Sequence, residues 1–156
     1  MKKVLTVSML AITSAFCMNA SAQTNTGTVA VSVTLTPKCV INSATNGAVA
    51  TITAINMPYT SFQGVASNGS SSFTVNCATG LAYVPSISAG GSANGVNYFT
   101  ALGTSSATGL TGNTLTLASQ TGAASTTLWV NTTAPAGQAG ATGAVIAETR
   151  TVTLTF

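Results

Sequence analysis

Residues 28–36 alternate between aliphatic side chains and small or hydroxyl-bearing ones with a period of two residues. The aliphatic face consists of Val29, Val31, Val33 and Leu35. A helix would need apolar residues three and four positions apart, so this segment is predicted to be a β-strand with one apolar face. Pro37 follows the segment and weakens hydrogen-bonded pairing into the next part of the chain.

The same period recurs along most of the chain. Residues 72–77 place Phe73, Val75 and Cys77 on one face, and residues 81–89 place Leu81, Tyr83 and Ile87 on one face. Further strands are predicted at residues 49–55, 96–102, 113–118, 126–131 and 149–156, the last with Val152, Leu154 and Phe156 on one side. Clusters of Gly, Asn, Ser and Pro separate these segments, and no capped helical pattern follows residue 22. The sequence therefore predicts an all-β sandwich or barrel.

The polar composition excludes most catalytic chemistry. The chain of 156 residues has no histidine, and its only acidic side chain is that of Glu148. It therefore lacks a histidine base, a carboxylate pair and a ligand set for zinc, calcium or magnesium. We expect no enzymatic activity, no small-molecule substrate and no cofactor.

The first 22 residues have the pattern of an export signal. Lys2 and Lys3 precede an apolar run over residues 4–18, and an Ala-Ser-Ala cleavage site occupies residues 20–22. Lipidation at Cys17 is an alternative, but the bulky Phe16 before it disfavours that alternative. Residues 1–22 are predicted to be a signal peptide.

Few charges remain beyond that signal. The later residues carry two cations, Lys38 and Arg150, and one anion, Glu148. Lys38 and Arg150 are interpreted as solvated charges that flank strands, with contact to another protein molecule as the alternative. So little charge provides no basic surface for nucleic acid or anionic membrane, whereas near-neutrality favours association between protein molecules.

Two cysteines, Cys39 and Cys77, remain after the signal. A free nucleophile or a metal thiolate would need a histidine or a second cysteine pair, so a disulfide is the preferred interpretation for an exported chain. The loop that it closes gives a chain-entropy stabilisation of about 4 kcal/mol.

Four motifs together resemble one family. They are Pro-Lys-Cys-Val-Ile at residues 37–41, Phe-Thr-Val-Asn-Cys at 73–77, Pro-Ala-Gly-Gln at 135–138 and Thr-Val-Thr-Leu-Thr-Phe at 151–156. In this combination the chain resembles the spore coat protein U-like family, which includes subunits of archaic chaperone–usher pili of bacteria. The resemblance spans most of the chain after residue 22. It departs at residues 143–148, where an aromatic and an acidic residue are common in the family.

The resemblance implies a pilin-type, incomplete immunoglobulin-like β-sandwich over residues 38–156 that lacks its last strand. Residues 23–37 would be a donor-strand extension whose Val29, Val31, Val33 and Leu35 enter the groove of a neighbouring subunit. Val152, Leu154 and Phe156 would form the groove edge and contact the chaperone.

The implied partners are identical or homologous pilin subunits, a periplasmic chaperone and an outer-membrane usher. The implied location is the cell surface, reached through the inner membrane and the periplasm. The implied role is that of a fimbrial subunit that supports adhesion and biofilm formation.

A self-contained secreted β-sandwich that binds carbohydrate or forms a coat is the alternative. Trp129 could stack on a sugar, although packing in the core or a groove is the favoured interpretation. Residues 28–36 separate the two hypotheses, because a pilin needs them on another molecule and a monomer needs them in its own sheet.

Overall fold

The computed structural model describes residues 29–36, 38–44, 49–141 and 147–156. The expectations for the signal peptide at residues 1–22, for residues 23–28 and for Pro37 lie outside these ranges. The chain divides into two units, Met1–Thr34 and Leu35–Phe156, which are taken separately here. In the first unit, residues 29–34 belong to no strand.

Nine strands occur in the described ranges. They are β1 (Cys39–Ile41), β2 (Ser67–Cys77), β3 (Ala82–Ile87), β4 (Ser92–Ala93), β5 (Val96–Asn97), β6 (Phe99–Gly103), β7 (Gln120–Thr121), β8 (Thr126–Ala134) and β9 (Val152–Thr155). The same ranges contain no helix, and hence none long and apolar enough to cross a membrane.

The strands form two larger antiparallel sheets and one hairpin. The four-stranded sheet has the order β1-β2-β8-β6, the three-stranded sheet has the order β7-β3-β9, and β4 pairs with β5. The all-β class is confirmed, and the arrangement is consistent with a β-sandwich.

The core lies where the alternating apolar faces meet. Its buried side chains are Phe73, Val75, Cys77, Tyr83, Ile87, Leu102, Leu128 and Val130. Phe73 in β2 lies directly opposite Leu128 in β8, and both side chains are almost completely buried. The period of two residues therefore identified the core-facing positions of β2.

Three of the predicted strands are confirmed with shifted ends. The strand predicted at residues 72–77 begins earlier, at Ser67, and the one predicted at 126–131 continues to Ala134. The strand predicted at residues 81–89 is limited to Ala82–Ile87.

Two predicted strands have no backbone partner among the described residues. Residues 29–36 and 49–55 lie in no strand of the structure, although their side-chain pattern is that of a strand. An extended segment counts as a strand only when another backbone hydrogen-bonds to it, and side-chain periodicity does not reveal whether that backbone exists within the chain.

Three further predictions need correction. Residues 113–118 form only isolated bridges, Thr114 with Ala101 and Thr116 with Ser86, because the segment passes between the two larger sheets. The strand predicted at residues 96–102 is interrupted between β5 and β6, and the one predicted at 149–156 is shortened to β9.

The predicted disulfide is confirmed. Cys39 in β1 and Cys77 in β2 are paired in the ladder and bonded through their sulfur atoms. The bond therefore joins the short edge strand β1 to the longest strand of the sheet.

Candidate binding groove

An open groove of about 920 Å³ lies within residues 35–156. Residues 52–59 form one wall, and residues 147–150 with Val152 form the other. Its floor includes Ile87, Tyr98, Thr100, Val130 and Thr132. The groove thus lies over the apolar core, between two segments that are distant in sequence.

The first wall is attached to the sheet by side chains. Ile55 and Met57 point inward, and exposed residues alternate with inward ones along residues 55–59. Gly69 of β2 makes room for this wall, because a Cβ at that position would collide with Ile55 Cγ2 and lie 3.1 Å from Met57 Cγ. The hydroxyl of Thr132 in β8 lies 3.0 Å from the Met57 sulfur.

The end of the first wall is fixed by Tyr59. Its hydroxyl donates to the Pro135 carbonyl at 2.8 Å and accepts from the Gln138 backbone N–H at 3.0 Å. Within the described ranges, residues 52–57 make no backbone–backbone hydrogen bond. The donors and acceptors of this wall are therefore free to pair with an added strand.

The second wall leads into β9. This strand pairs with β3 on one side and is the last in the sheet order, so its other edge has no strand beside it. Val152 lines the groove and Leu154 packs against the core, whereas Phe156 is 58% exposed. In the described part of the chain β9 thus lies at the edge of its sheet, and of the three residues predicted for the groove edge only Val152 lines the groove.

A polar cluster lies in the second wall. The Tyr98 hydroxyl donates to Glu148 Oε2 at 2.5 Å and accepts from Arg150 Nε at 2.8 Å. Arg150 also forms an ion pair with Glu148, and its guanidinium carbon lies 5.3 Å from the centre of the Tyr98 ring. The interpretation of Arg150 as a solvated flanking charge is therefore wrong, whereas Lys38 is exposed as expected.

Burial raises the pKa of Tyr98 above that of an exposed tyrosine, and the hydrogen bond to Glu148 adds to this effect. Arg150 acts in the opposite direction, because a nearby cation favours the tyrosinate. Tyr98 therefore stays protonated near neutral pH and can donate to Glu148.

One hydroxyl in the floor has no partner. Thr100 is fully buried, and its Oγ1 makes no hydrogen bond among the described residues. The neighbouring floor residues Ile87 and Val130 are apolar and almost fully buried. Aliphatic side chains can therefore cover the apolar part of the floor, and Thr100 differs from the floor residues Tyr98 and Thr132 in that their hydroxyls have partners.

The two walls run in opposite directions. The first wall ends with Tyr59 bonded to Pro135, immediately after β8, and thus follows the direction of that strand. In the second wall Arg150 contacts Tyr98, just before β6, and Val152 then pairs with Ile87 of β3, so this wall follows the direction of β6. Because β6 is antiparallel to β8, a strand between the walls would be antiparallel to one and parallel to the other.

The predicted donor residues are strongly exposed. Val29, Val31, Val33 and Leu35 are 84%, 80%, 86% and 74% exposed. These residues form no strand in the structure, and only in an extended conformation would their four side chains share one face.

Trp129 contradicts its favoured interpretation. It lies in β8 between the buried residues Leu128 and Val130, so its side chain points to the outer face of the sheet. Its cross-strand partners there are the small residues Ser72 and Gly103. Trp129 is thus neither in the core nor among the groove residues.

Buried polar residues of the outer face were missed by sequence reasoning. Asn131 Oδ1 accepts from the Ala107 N–H at 2.9 Å, and its amide donates to the Ser105 carbonyl at 3.1 Å. Thr133 accepts from the Leu110 N–H at 3.0 Å. A polar loop covers this face of β8, and strand alternation alone gives no sign of that cover.

Comparison of the chain with protein-family models, with curated proteins and with solved structures gave no match. The described residues contain no group of three acidic, histidine or cysteine side chains that could hold a metal ion.

Proposed function

We propose that the chain is a structural subunit of a bacterial surface fimbria, assembled by donor-strand exchange and supporting adhesion and biofilm formation. The observation that carries the proposal is the groove beside residues 52–57, which make no backbone–backbone hydrogen bond in the described part of the chain. The same chain exposes four aliphatic side chains, which alternate with small or hydroxyl-bearing residues along residues 29–36. In this proposal the domain is an incomplete immunoglobulin-like sandwich, and residues 28–36 of another subunit complete it.

The apolar contact is large enough to drive assembly. Burial of an aliphatic side chain contributes about 1.5–3 kcal/mol, so four of them give about 6–12 kcal/mol per junction as an upper estimate before ordering costs. Backbone hydrogen bonds along both free walls add to this and slow dissociation. No nucleotide is needed to drive such a reaction.

The repeated contact would produce a fibre. The donor segment and the groove are different surfaces of one subunit, so each added subunit leaves a new groove or donor free. By resemblance to chaperone–usher systems, a periplasmic chaperone would cover the groove before assembly and an outer-membrane usher would export the fibre.

The test uses surface-sheared material from cells that carry the full-length protein and its native gene neighbourhood. On detergent gels we expect a ladder of bands in unheated samples that collapses on boiling. Deletion of residues 28–36 should abolish the ladder, because that subunit can accept a strand but cannot supply one.

A matched pair of point variants refines the test. Val31→Asp places a charge on the apolar face of the donor segment, whereas Ser32→Asp places the same charge on the opposite face. We expect the ladder to disappear in the first variant and to persist in the second. A single monomer band in every lane, wild type included, would refute the proposal.

The second candidate is a self-contained carbohydrate-binding module. The outward position of Trp129 beside Ser72 favours it, because an indole ring and nearby hydroxyls suit the apolar and polar faces of a sugar. A monomeric protein whose tryptophan fluorescence changes with added polysaccharide, and whose retention on an immobilised polysaccharide is lost in Trp129→Ala, would support this candidate.

A further inference from the structure

We propose that the cluster of Tyr98, Glu148 and Arg150 fixes the register of the incoming strand, with Val33 of one subunit opposite Val152 of the next. This inference rests on the proposed function, since it specifies how the donor segment lies in the groove. The cluster positions the donor strand, because it lies where the apolar residues of the second wall and β9 give way to charged ones.

The cluster connects the second wall to the rest of the domain. Residues 147–150 make no backbone–backbone hydrogen bond within the described ranges. Their side chains are held instead by hydrogen bonds: Glu148 and Arg150 bond to each other, and each bonds to the Tyr98 hydroxyl. The cluster thus holds in place a wall that has no strand on either side.

Gly91 provides the space for this arrangement. A Cβ there would collide with the guanidinium of Arg150 and lie 2.7 Å from Glu148 Oε2. Two of the three charged side chains beyond residue 22 are therefore gathered in one closely fitted site, 26% and 27% exposed, inside an otherwise weakly polar groove.

The alternation of faces limits the possible registers. Arg150, Val152 and Leu154 are partly buried, and exposed threonines separate them. Directly opposite residues of two paired strands point to the same face of the sheet. The inward residues of the wall have even numbers and the aliphatic residues of the donor segment have odd numbers, so each aliphatic donor residue must lie opposite an even-numbered wall residue. A slip of one residue would turn every aliphatic side chain outward, so the allowed registers differ by two residues.

The direction of the added strand follows from the existing sheets. Every strand pair in the described ranges is antiparallel, and antiparallel pairing is slightly more stable per residue. The regular strand at the groove is β9, whereas the first wall contains Pro58, which has no N–H. We therefore take the donor strand as antiparallel to β9.

One register matches apolar residues with apolar residues. It places Val29, Val31, Val33 and Leu35 opposite Phe156, Leu154, Val152 and the aliphatic stem of Arg150, respectively. The next inward position is then occupied by Pro37, which lacks an N–H and ends the ladder opposite Glu148. The exposed Phe156 would be covered by Val29.

A shift of two residues is unfavourable at the cluster. It would extend the paired ladder to Glu148 and hold Leu35 against a carboxylate that is already paired with Arg150. In the first register the ladder ends at Pro37, so the donor backbone is not held against Glu148. Removing that ion pair from water without adding a hydrogen bond costs free energy. The cluster therefore resists deeper insertion of the donor segment.

Cysteine cross-linking in the full-length protein tests the register. Directly opposite residues of antiparallel strands have Cβ atoms close enough for a disulfide. We expect Val33→Cys with Val152→Cys to give covalent oligomers that survive boiling and collapse on reduction. Two further pairs report the neighbouring registers, namely Val31→Cys with Val152→Cys and Leu35→Cys with Val152→Cys. Each should give at least about tenfold less covalent oligomer, which corresponds to ~1.4 kcal/mol of preference for the proposed register. Each single cysteine variant controls for exchange with Cys39 and Cys77.

The outcomes separate this inference from the proposed function. Preferential cross-linking of a neighbouring-register pair would overturn the register and leave strand donation intact. A cross-link within one chain, or monomers in every sample, would overturn strand donation and the register together.

The role of the cluster is tested by Arg150→Met in the same cysteine backgrounds. Methionine keeps the unbranched stem and removes the charge, so we expect the Val31–Val152 cross-link to rise to a yield comparable with that of Val33–Val152. Lys38→Met removes the other cation and should leave the register unchanged. If Arg150→Met retains the single register, the cluster does not set it.

Discussion

The Thr132 hydroxyl lies 3.0 Å from the Met57 sulfur and 3.1 Å from the Gly69 carbonyl, within donating reach of both. It thereby joins the centre of the four-stranded sheet to a wall of the groove that has no backbone partner. The shape of the groove therefore depends on side-chain contacts at Gly69 and Thr132 as much as on the strands.

Gly69→Val should displace the first wall. The added side chain would collide with Ile55, so residues 52–59 must move and the groove loses its shape. We expect a strong loss of the detergent-resistant ladder in surface-sheared material. Gly64→Ala is the matched control, because a Cβ there meets nothing within 4 Å. An unchanged ladder in Gly69→Val would show that this wall does not shape the assembly site.

Leu128→Ala should destabilise the domain by about 2–5 kcal/mol, because it removes a fully buried side chain from the core and leaves a cavity. The measurement is the free energy of unfolding in denaturant. Thr127→Ala, an exposed change in the same strand, should stay within about 0.5 kcal/mol of the wild type. Equal effects of the two changes would contradict the placement of the core.

Replacement of Cys39 and Cys77 by serine should lower the free energy of unfolding by about 4 kcal/mol, mainly through greater freedom of the unfolded chain. The same loss should appear when the wild type unfolds in the presence of a reductant. If the reductant lowers the free energy of unfolding of the double variant as much as that of the wild type, the loss does not come from the disulfide.

The Tyr98 cluster should make stability depend on alkaline pH. The pKa of Tyr98 is raised in the folded state by burial and by the hydrogen bond to Glu148. Its contribution to stability is therefore complete below the pKa of the unfolded tyrosine, about 10, and is lost as the pH rises through the folded value.

The measurement for this prediction is the unfolding free energy at a series of alkaline pH values, with tyrosinate absorbance as a direct probe. Tyr98→Phe should weaken the pH dependence. If the unfolding free energy fell more steeply with rising pH in Tyr98→Phe than in the wild type, the prediction would be wrong.

The sequence was sufficient to identify the three longest strands, β2, β3 and β8. Alternation predicted the inward face of β2 with Phe73 and Val75, and the export signal with paired cysteines predicted the disulfide. It failed for residues 49–55, where Ile52 and Ile55 both pack against the core although they are three residues apart, a spacing that places two side chains on opposite faces of a regular strand. This segment also belongs to no strand of the structure. Periodicity reports where side chains point and carries no information on which backbone pairs with which.

The polar cluster was beyond sequence reasoning for a different reason. Tyr98 and Arg150 are far apart in the chain, and neither lies in a recognisable motif. A chain with so few charges gives one hint, since a lone acidic residue two positions from an arginine often has a specific partner. Only the packing of the second wall against Tyr98 reveals that partner.

The position of Cys39 determines how a fibre of these subunits would carry a pulling force. Tension on the donor segment would enter its own domain at Cys39, at the start of a strand of only three residues. Because the disulfide joins Cys39 to Cys77, the force passes by a covalent bond to β2, whose nine residue pairs with β8 resist it in parallel. In such a fibre the strand in the groove and the ladder of β2 with β8 would carry the load in series, and the three-residue strand β1 would be bypassed.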